Sequence, residues 1–169
     1  RQQINGIFFD QKELDSLTSY TKEDYTEINH SLRQGSGEKS HQMDSTIRSI
    51  DSAIAKDGIV EEMTVYRGTV IPELSENPEA MIGKEFTDKG FISTSFDKGF
   101  AEKWKTDQSG VVLKIKMPVG TKGLSLNVLP KIFLVKEREF LIARNTRMRV
   151  TGVQTRFTGK PIVEVEIIL

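Results

Sequence analysis

Apolar residues along this chain recur at two different spacings, and the switch between them divides it in two. In the first part the spacing is helical. Gln11 to Tyr20 is one short candidate helix. Thr21-Lys22-Glu23-Asp24 has the form of a capping box opening a second helix, which carries Tyr25, Ile28 and Leu32. A polar, Gly-rich stretch from Gln34 to Ser40 breaks the pattern. Met43, Ile47, Ile50 and Ile54 then recur at the spacing of one helix face.

After Gly58 the period changes to two. Met63 to Gly68 reads as a strand, and Pro72 to Gly83 as a connection with little periodicity. Gly90 to Phe96 reads as a second strand, followed by a short helix from Asp97 to about Trp104. Val111, Leu113, Ile115 and Met117 alternate with Val112, Lys114 and Lys116, the mark of a half-buried strand. Glu139–Ala143, Arg147–Val153 and Ile162–Leu169 bring the strands to at least six. Helices first and strands afterwards predict an α+β fold, with N-terminal helices packed on an antiparallel-rich β-sandwich rather than a doubly wound sheet. The expectation is a single domain over 1–169, helical over 1–60 and mainly strands over 61–169.

Composition narrows the function classes. The chain has 169 residues, 37% hydrophobic and 28% charged, which suits one domain with a real core. Its net charge of zero gives no reason to expect a nucleic-acid or membrane-surface partner. Charge is unevenly spread: Lys131 to Lys160 holds eight Lys/Arg against two Glu, while Arg1 to Glu62 holds seven against twelve Asp/Glu. That is either two solvated faces or a basic rim that meets an acidic partner. There is no Cys, so neither disulfides nor thiolate chemistry enter. With only His30 and His41, a zinc site would have to rest mostly on carboxylates, and no metal is expected. No stretch reaches the apolar length of a membrane span. The chain opens on Arg1 without a signal peptide, which leads us to expect a fragment or processed form.

Three places hold candidate chemistry. Arg67 shares a strand face with Met63 and Val65, which puts a permanent cation on an otherwise inward face. It is either a strand end turned to solvent or a ligand for phosphate or carboxylate, helped by the backbone freedom of Gly68. In Phe91-Ile92-Ser93-Thr94-Ser95-Phe96, Ser93 and Ser95 share a face with Phe91, and two hydroxyls within an apolar strand need partners. Glu137-Arg138-Glu139 enters the strand Phe140-Leu141-Ile142. If that strand begins by Glu137, the two carboxylates lie on one face, roughly 7 Å apart at the alpha carbons, where like charges separate their pKa values. The alternative is a solvated pair at a strand start. Gly35-Ser36-Gly37-Glu38-Lys39-Ser40 lacks the Gly before Lys of a phosphate loop, and no G-x-G-x-x-G is present for a Rossmann site. His30 and His41 have no nucleophile signature beside them and read as surface or cap residues.

Taken in order, Arg67, Ser93-Thr94-Ser95 and Glu137-Arg138-Glu139 resemble the R–S–E signature of arginine-specific mono-ADP-ribosyltransferase toxins. These are the binary-toxin-like enzymes that include the iota, C2 and Vip2-type catalytic components. Upstream, Tyr20, Tyr25 and Asn29 followed by Leu32-Arg33 resemble the family helix whose Tyr and Asn face NAD. The resemblance spans nearly the whole chain and implies the split form of the β-sandwich. It implies a transferase that moves ADP-ribose from NAD to an arginine of a target protein, releases nicotinamide and uses no metal.

The resemblance also implies roles. Arg67 would hold the NAD phosphates and the Gly68 backbone the nicotinamide amide. Ser93 would orient Glu139 and contact the nicotinamide-side ribose. Thr94 and Ser95 would support the strand. Glu139 would bind the ribose 2′-hydroxyl and stabilise the oxocarbenium ion, while Glu137 would receive the target guanidinium. Tyr25 and Asn29 would line the cleft, and either Phe100 or Trp104 would pack on nicotinamide. The loop Leu129–Lys136 would help choose the target through Phe133 and Leu134. It departs from the family pattern in lacking Gly, which leaves actin, the target of the binary toxins, open. The implied setting is secretion or delivery into a target cell, with a host or competitor protein as acceptor and a delivery component or larger parent chain behind it. Water as acceptor, a degenerate fold serving as a binding module, and a transferase built into a phage or polymorphic toxin remain as alternatives.

Overall fold

In the computed structural model the described residues are 2–4, 7–35, 41–103, 110–126, 139–156 and 159–169. Helix α1 (Gln11–Ser19) starts at a capping box, but at Asp10 rather than Thr21. Asp10 Oδ1 accepts from the Glu13 amide at 2.8 Å, and Glu13 Oε1 accepts from the Asp10 amide at 2.9 Å. Buried Glu13 also accepts from Lys56 and, at 3.0 Å, from the Ser52 hydroxyl, so the cap doubles as a clamp on the third helix. The box expected at Thr21–Asp24 does not form, because the chain never leaves helical conformation there. Tyr20–Asp24 is a π-helical turn that carries α1 directly into α2 (Tyr25–Gln34), and the Thr21 hydroxyl donates back to the Thr18 carbonyl at 2.9 Å instead of capping.

Helix α3 (His41–Ala55) buries Ile47, Ile50 and Ile54, as its periodicity predicts. The first sixty residues are not wholly helical, however. Gln2–Ile4 (β1) and Ile7–Phe9 (β2) pair as an antiparallel hairpin. Strands of three residues are too short to give a period-two signal.

The remaining strands are β3 (Met63–Thr69), β4 (Glu85–Asp88), β5 (Ile92–Ser95), β6 (Val111–Met117), β7 (Gly123–Ser125), β8 (Glu139–Ile142), β9 (Thr146–Gln154) and β10 (Ile162–Ile168). They form one eight-stranded sheet in the order β4-β9-β10-β6-β3-β5-β8-β7. Every pair is antiparallel except β6 with β10. The segment Pro72–Gly83, which showed no periodicity, holds a short helix α4 (Pro72–Glu76) and a 3₁₀ turn (Pro78–Met81). Helix α5 (Lys98–Lys103) follows β5 and lays Ala101 against Val112 and Ile162.

The sheet is nearly split between β3 and β5, which share the single register pair Tyr66↔Ser95. The halves fold over one another. Val65, Ile115, Val150 and Val163 of the larger half pack with Ile92, Phe140 and Ile142 of the smaller. The opposite face of the smaller half, through Phe91, Leu124 and Leu141, receives Leu14, Leu17, Ile28 and Ile50 of the helices. The three layers leave little slack. A Cβ on Gly123 would stand 2.2 Å from Phe140 Cε1, so only glycine lets β7 approach β8. Among the described residues no helix is long and apolar enough to cross a membrane.

Candidate functional site

The break between β3 and β5 opens into a cleft of about 1000 Å³, walled on its other side by α2 and the π-turn. The π-turn decides which side chains face it. In a regular α-helix, residues five apart point roughly 140° away from each other. Here the Tyr25 amide donates to the Tyr20 carbonyl, an i→i+5 bond that places Tyr25 one turn above Tyr20. Asn29 follows one α-turn later on the same face. The spacing Tyr20, Tyr25, Asn29 therefore becomes a continuous stripe. The Tyr20 and Tyr25 rings meet edge to face at 6.3 Å between centroids. Tyr20 is buried under this stripe, whereas Tyr25 is 48% exposed at the rim.

The split also leaves backbone groups of the β5 edge without a strand partner, and side chains of the cleft satisfy them. Asn29 Oδ1 accepts from the Phe91 amide at 3.0 Å. Arg33 Nη2 donates to the Phe91 carbonyl at 3.2 Å. Arg67 Nη1 donates to the Ser93 carbonyl at 2.9 Å. Arg33 is itself held by Asp88, with Nε 2.9 Å from Oδ1. These contacts complete the backbone accounting of an open sheet edge and fix the cleft walls together. Gly90 is packed into the same knot, for a Cβ there would lie 2.8 Å from Arg33 Nε and 3.0 Å from Asn29 Oδ1.

Arg67 is half-buried, on the strand face it shares with Val65, where the core ends and the cleft begins. Burial lowers its pKa, the nearby charge of Arg33 lowers it further, and Asp88, Tyr20 and Glu139 oppose the change. A guanidinium so placed stays cationic and is short of solvation, a state that favours an anionic ligand. Burial raises the pKa of the Tyr20 hydroxyl, against the hydrogen bonds from Asn29 and Ser93, so it remains neutral.

Glu139 opens β8 directly opposite Ser95, with Ser93 one diagonal step along the same face. The Thr94 hydroxyl points the other way and donates to the Phe140 carbonyl at 2.6 Å, locking β5 to β8. Ser95 Oγ accepts from the Asp97 amide at 3.0 Å, which ties the strand to the start of α5. The strand alternation read from the sequence thus holds: Ser93, Ser95 and Glu139 face the cleft, and Ile92 and Phe96 face the core between the halves.

Of the residues singled out in the sequence, Tyr25, Asn29, Arg67, Gly68, Ser93, Thr94, Ser95, Phe100 and Glu139 all line this one cleft. Glu137, Trp104, Phe133 and Leu134 lie outside the described residues. Sequence reasoning did not assign site roles to Tyr20, Arg33, Tyr66 and His30, which also line it. Tyr20 and Arg33 stood within the resembling helix segment, and the five-residue step from Tyr20 to Tyr25 was the available signal. His30 reaches the cleft rim and is exposed.

Residues 8–166 match the family model described as ADP-ribosyltransferase exoenzyme. No curated protein matches the chain in sequence. Several solved structures share its fold. Plx2a, an ADP-ribosyltransferase toxin from Paenibacillus larvae, superposes with a TM-score of 0.80 at 23% identity, over 95% of this chain and 88% of that one. Exoenzyme S from Pseudomonas aeruginosa, solved with human 14-3-3 protein beta and Carba-NAD, gives 0.75 at 23% identity, over 94% and 74%. The binary enterotoxin component BECa of C. perfringens, solved with NADH, gives 0.79 at 21% identity, over 95% and 44%. Identities this low speak for the fold, while the family match runs almost from end to end of the described chain: this protein belongs to the ADP-ribosyltransferase exoenzyme family.

Proposed function

We propose that this chain is a mono-ADP-ribosyltransferase that cleaves the nicotinamide–ribose bond of NAD and transfers ADP-ribose to an arginine of another protein. The observation that carries this reading is the convergence of Arg67, Ser93 and Glu139 on one cleft at the split of the sheet. The cleft has the size and chemistry for a dinucleotide. At about 1000 Å³ it sits at the upper end of ligand pockets. Arg67 and Arg33 present two cations to a diphosphate, and Tyr25 and Phe100 offer aromatic surface to the bases. Two of the similar structures hold Carba-NAD and NADH, which supports NAD as the donor.

In the reaction, the bond between ribose C1′ and the nicotinamide nitrogen breaks, and its electron pair leaves with neutral nicotinamide. Positive charge develops on C1′ and the ring oxygen. Glu139 supplies the fixed anion beside it and accepts the ribose 2′-hydroxyl, help of a kind typically worth about 10²–10³ in rate. Ser93 holds the same ribose in place. A guanidinium nitrogen of the acceptor then attacks C1′ and gives up a proton. By resemblance that proton and the orientation of the guanidinium fall to Glu137, the first carboxylate of Glu137-Arg138-Glu139. No step calls for a metal. The acceptor is a protein of a host or competitor cell, reached by delivery of the toxin domain; the toxins among its structural relatives support that setting.

Titration calorimetry with NAD, repeated with chelator, and nicotinamide release test the reading together. Binding that survives chelation, with steady release, is expected. Absence of both at millimolar NAD, or dependence of both on metal, would overturn it.

A further inference from the structure

Arg33, in the last turn of α2, is a cleft cation held from behind. A guanidinium carries five N–H groups in one plane, and three of these are engaged. Nε donates to Asp88 Oδ1 at 2.9 Å, Nη2 donates to Asp88 Oδ2 at 3.2 Å, and Nη2 donates again to the Phe91 carbonyl at 3.2 Å. The two N–H groups of Nη1 are left over, and among the described residues Nη1 has no hydrogen-bond partner. Nη1 stands on the edge of the fork opposite the Nε–Nη2 edge that Asp88 grips. Arg33 is among the described residues that line the cleft, whereas Asp88 and Phe91 are not. The gripped edge is therefore turned away from the cleft and the free edge towards it. Asp88 is itself fixed: it ends β4, and its Oδ1 also accepts from the Gly90 amide at 2.8 Å. The guanidinium packs directly on this turn, since a Cβ on Gly90 would lie 2.8 Å from Arg33 Nε.

We infer that Asp88 is a positioning residue for donor binding: with the Phe91 carbonyl it pins Arg33 from outside the cleft, so that Nη1 meets the diphosphate of the donor already oriented. The inference rests on the proposed transferase reading. An arginine side chain left free must give up its rotamer freedom when it takes a ligand, and one that is held beforehand does not. Asp88 also has an opposing effect, because its negative charge repels a diphosphate. The two effects differ in reach. The grip on Arg33 is made by direct hydrogen bonds. The repulsion acts past the guanidinium and is screened at physiological salt, where the Debye length is about 8 Å. The grip therefore outweighs the repulsion while Arg33 is present, and only the repulsion remains once Arg33 is removed.

The test is a double-mutant cycle on NAD affinity, titrated by calorimetry at physiological salt, with Asp88→Asn, Arg33→Ala and the pair. Asp88→Asn keeps an oxygen for the Gly90 amide, so the turn is expected to survive, and melting curves serve as the check. In the wild-type background the substitution should weaken NAD binding about threefold to tenfold, the scale of immobilising one long side chain. In the Arg33→Ala background it should leave affinity unchanged or improve it, because the group Asp88 acts through is gone and a negative charge has been removed. Equal losses in both backgrounds would make Asp88 a brace of the fold and overturn the inference. Improved affinity in both would make it a charge effect alone, with the same consequence. Nicotinamide release gives a second readout: KM for NAD should rise in Asp88→Asn with kcat little changed, because the diphosphate lies away from the bond that breaks. If Arg33→Ala binds too weakly to titrate, that split decides alone, and a fall in kcat with KM held overturns the inference. Wild-type protein that binds no NAD overturns the transferase reading as well, whereas the other adverse outcomes overturn only the role of Asp88.

Discussion

Arg67→Lys separates the charge of the site cation from its shape. Two losses are expected. First, Arg67 Nη1 donates to the Ser93 carbonyl at 2.9 Å, on a sheet edge with no strand ladder at that point. An ammonium that turns to the phosphates cannot also keep that bond in the same geometry, and an unsatisfied buried acceptor costs about 1–3 kcal/mol. The melting temperature should fall accordingly. Second, a guanidinium grips phosphate oxygens through a planar fork, and an ammonium does not. Losing one charge-assisted hydrogen bond, about 1.5–3 kcal/mol, weakens NAD binding about 10- to 150-fold. The substitution adds a pH signature. Burial and the Arg33 charge lower the pKa of the cation at this position. A guanidinium stays charged despite this, but a lysine starts from an ordinary value of about 10.4 and is pushed down from there. The cationic form is the one that binds phosphate, so NAD affinity of the variant should fall further as pH rises from neutral to alkaline, while that of the wild type holds. Calorimetric NAD titrations of both proteins at the two pH values, with melting curves, measure all three effects. Unchanged affinity at both pH values and an unchanged melting temperature would remove Arg67 from the site and refute the reasoning.

Other expectations follow from the proposed reaction, that for Glu137 resting on the resemblance. Glu139→Ala should abolish nicotinamide release and protein labelling together, because the ribose becomes cationic whatever attacks it. Glu137→Gln should abolish labelling but leave measurable release, since the guanidinium takes part only in transfer. A loss of about 10²–10⁴ is the scale for an oriented acid–base group, and equal damage from both variants contradicts the division of labour. Gly90→Ala places a methyl 2.8 Å from Arg33 Nε and 3.0 Å from Asn29 Oδ1. It should destabilise the fold by about 1–3 kcal/mol and weaken NAD binding, as read from a denaturant midpoint and a titration; an unaltered midpoint would show that Arg33 moves aside freely.

Long periodic segments were legible from the sequence. Val111–Met117 and the Ile47–Ile54 face emerge as expected because each buries one regular stripe. The Ser93/Ser95 face was legible for the same reason: alternation fixes which side of β5 a residue occupies. Elements defined by pairing rather than pattern were not. Strand β4 is a four-residue edge of mostly polar residues held by β9, and β7 is three residues admitted by Gly123. The false capping box at Thr21 arose because a local motif cannot reveal that a π-turn continues the helix, whereas the real box at Asp10 lay eleven residues earlier in plain view of the same rule. The role of Arg33 depends on Asp88 and Phe91, more than fifty residues away, and no local signal announces it.

The central claim is the transfer of ADP-ribose from NAD to protein arginine, and mapping the product tests it most directly. The protein is incubated with labelled NAD and a host-cell lysate, and the labelled polypeptide is sequenced by mass spectrometry to the modified residue. The account predicts ADP-ribose on an arginine side chain of a discrete target, absent when Glu139→Ala replaces the wild type. Label on a different residue type, or nicotinamide release in the same lysate with no labelled protein, would contradict it.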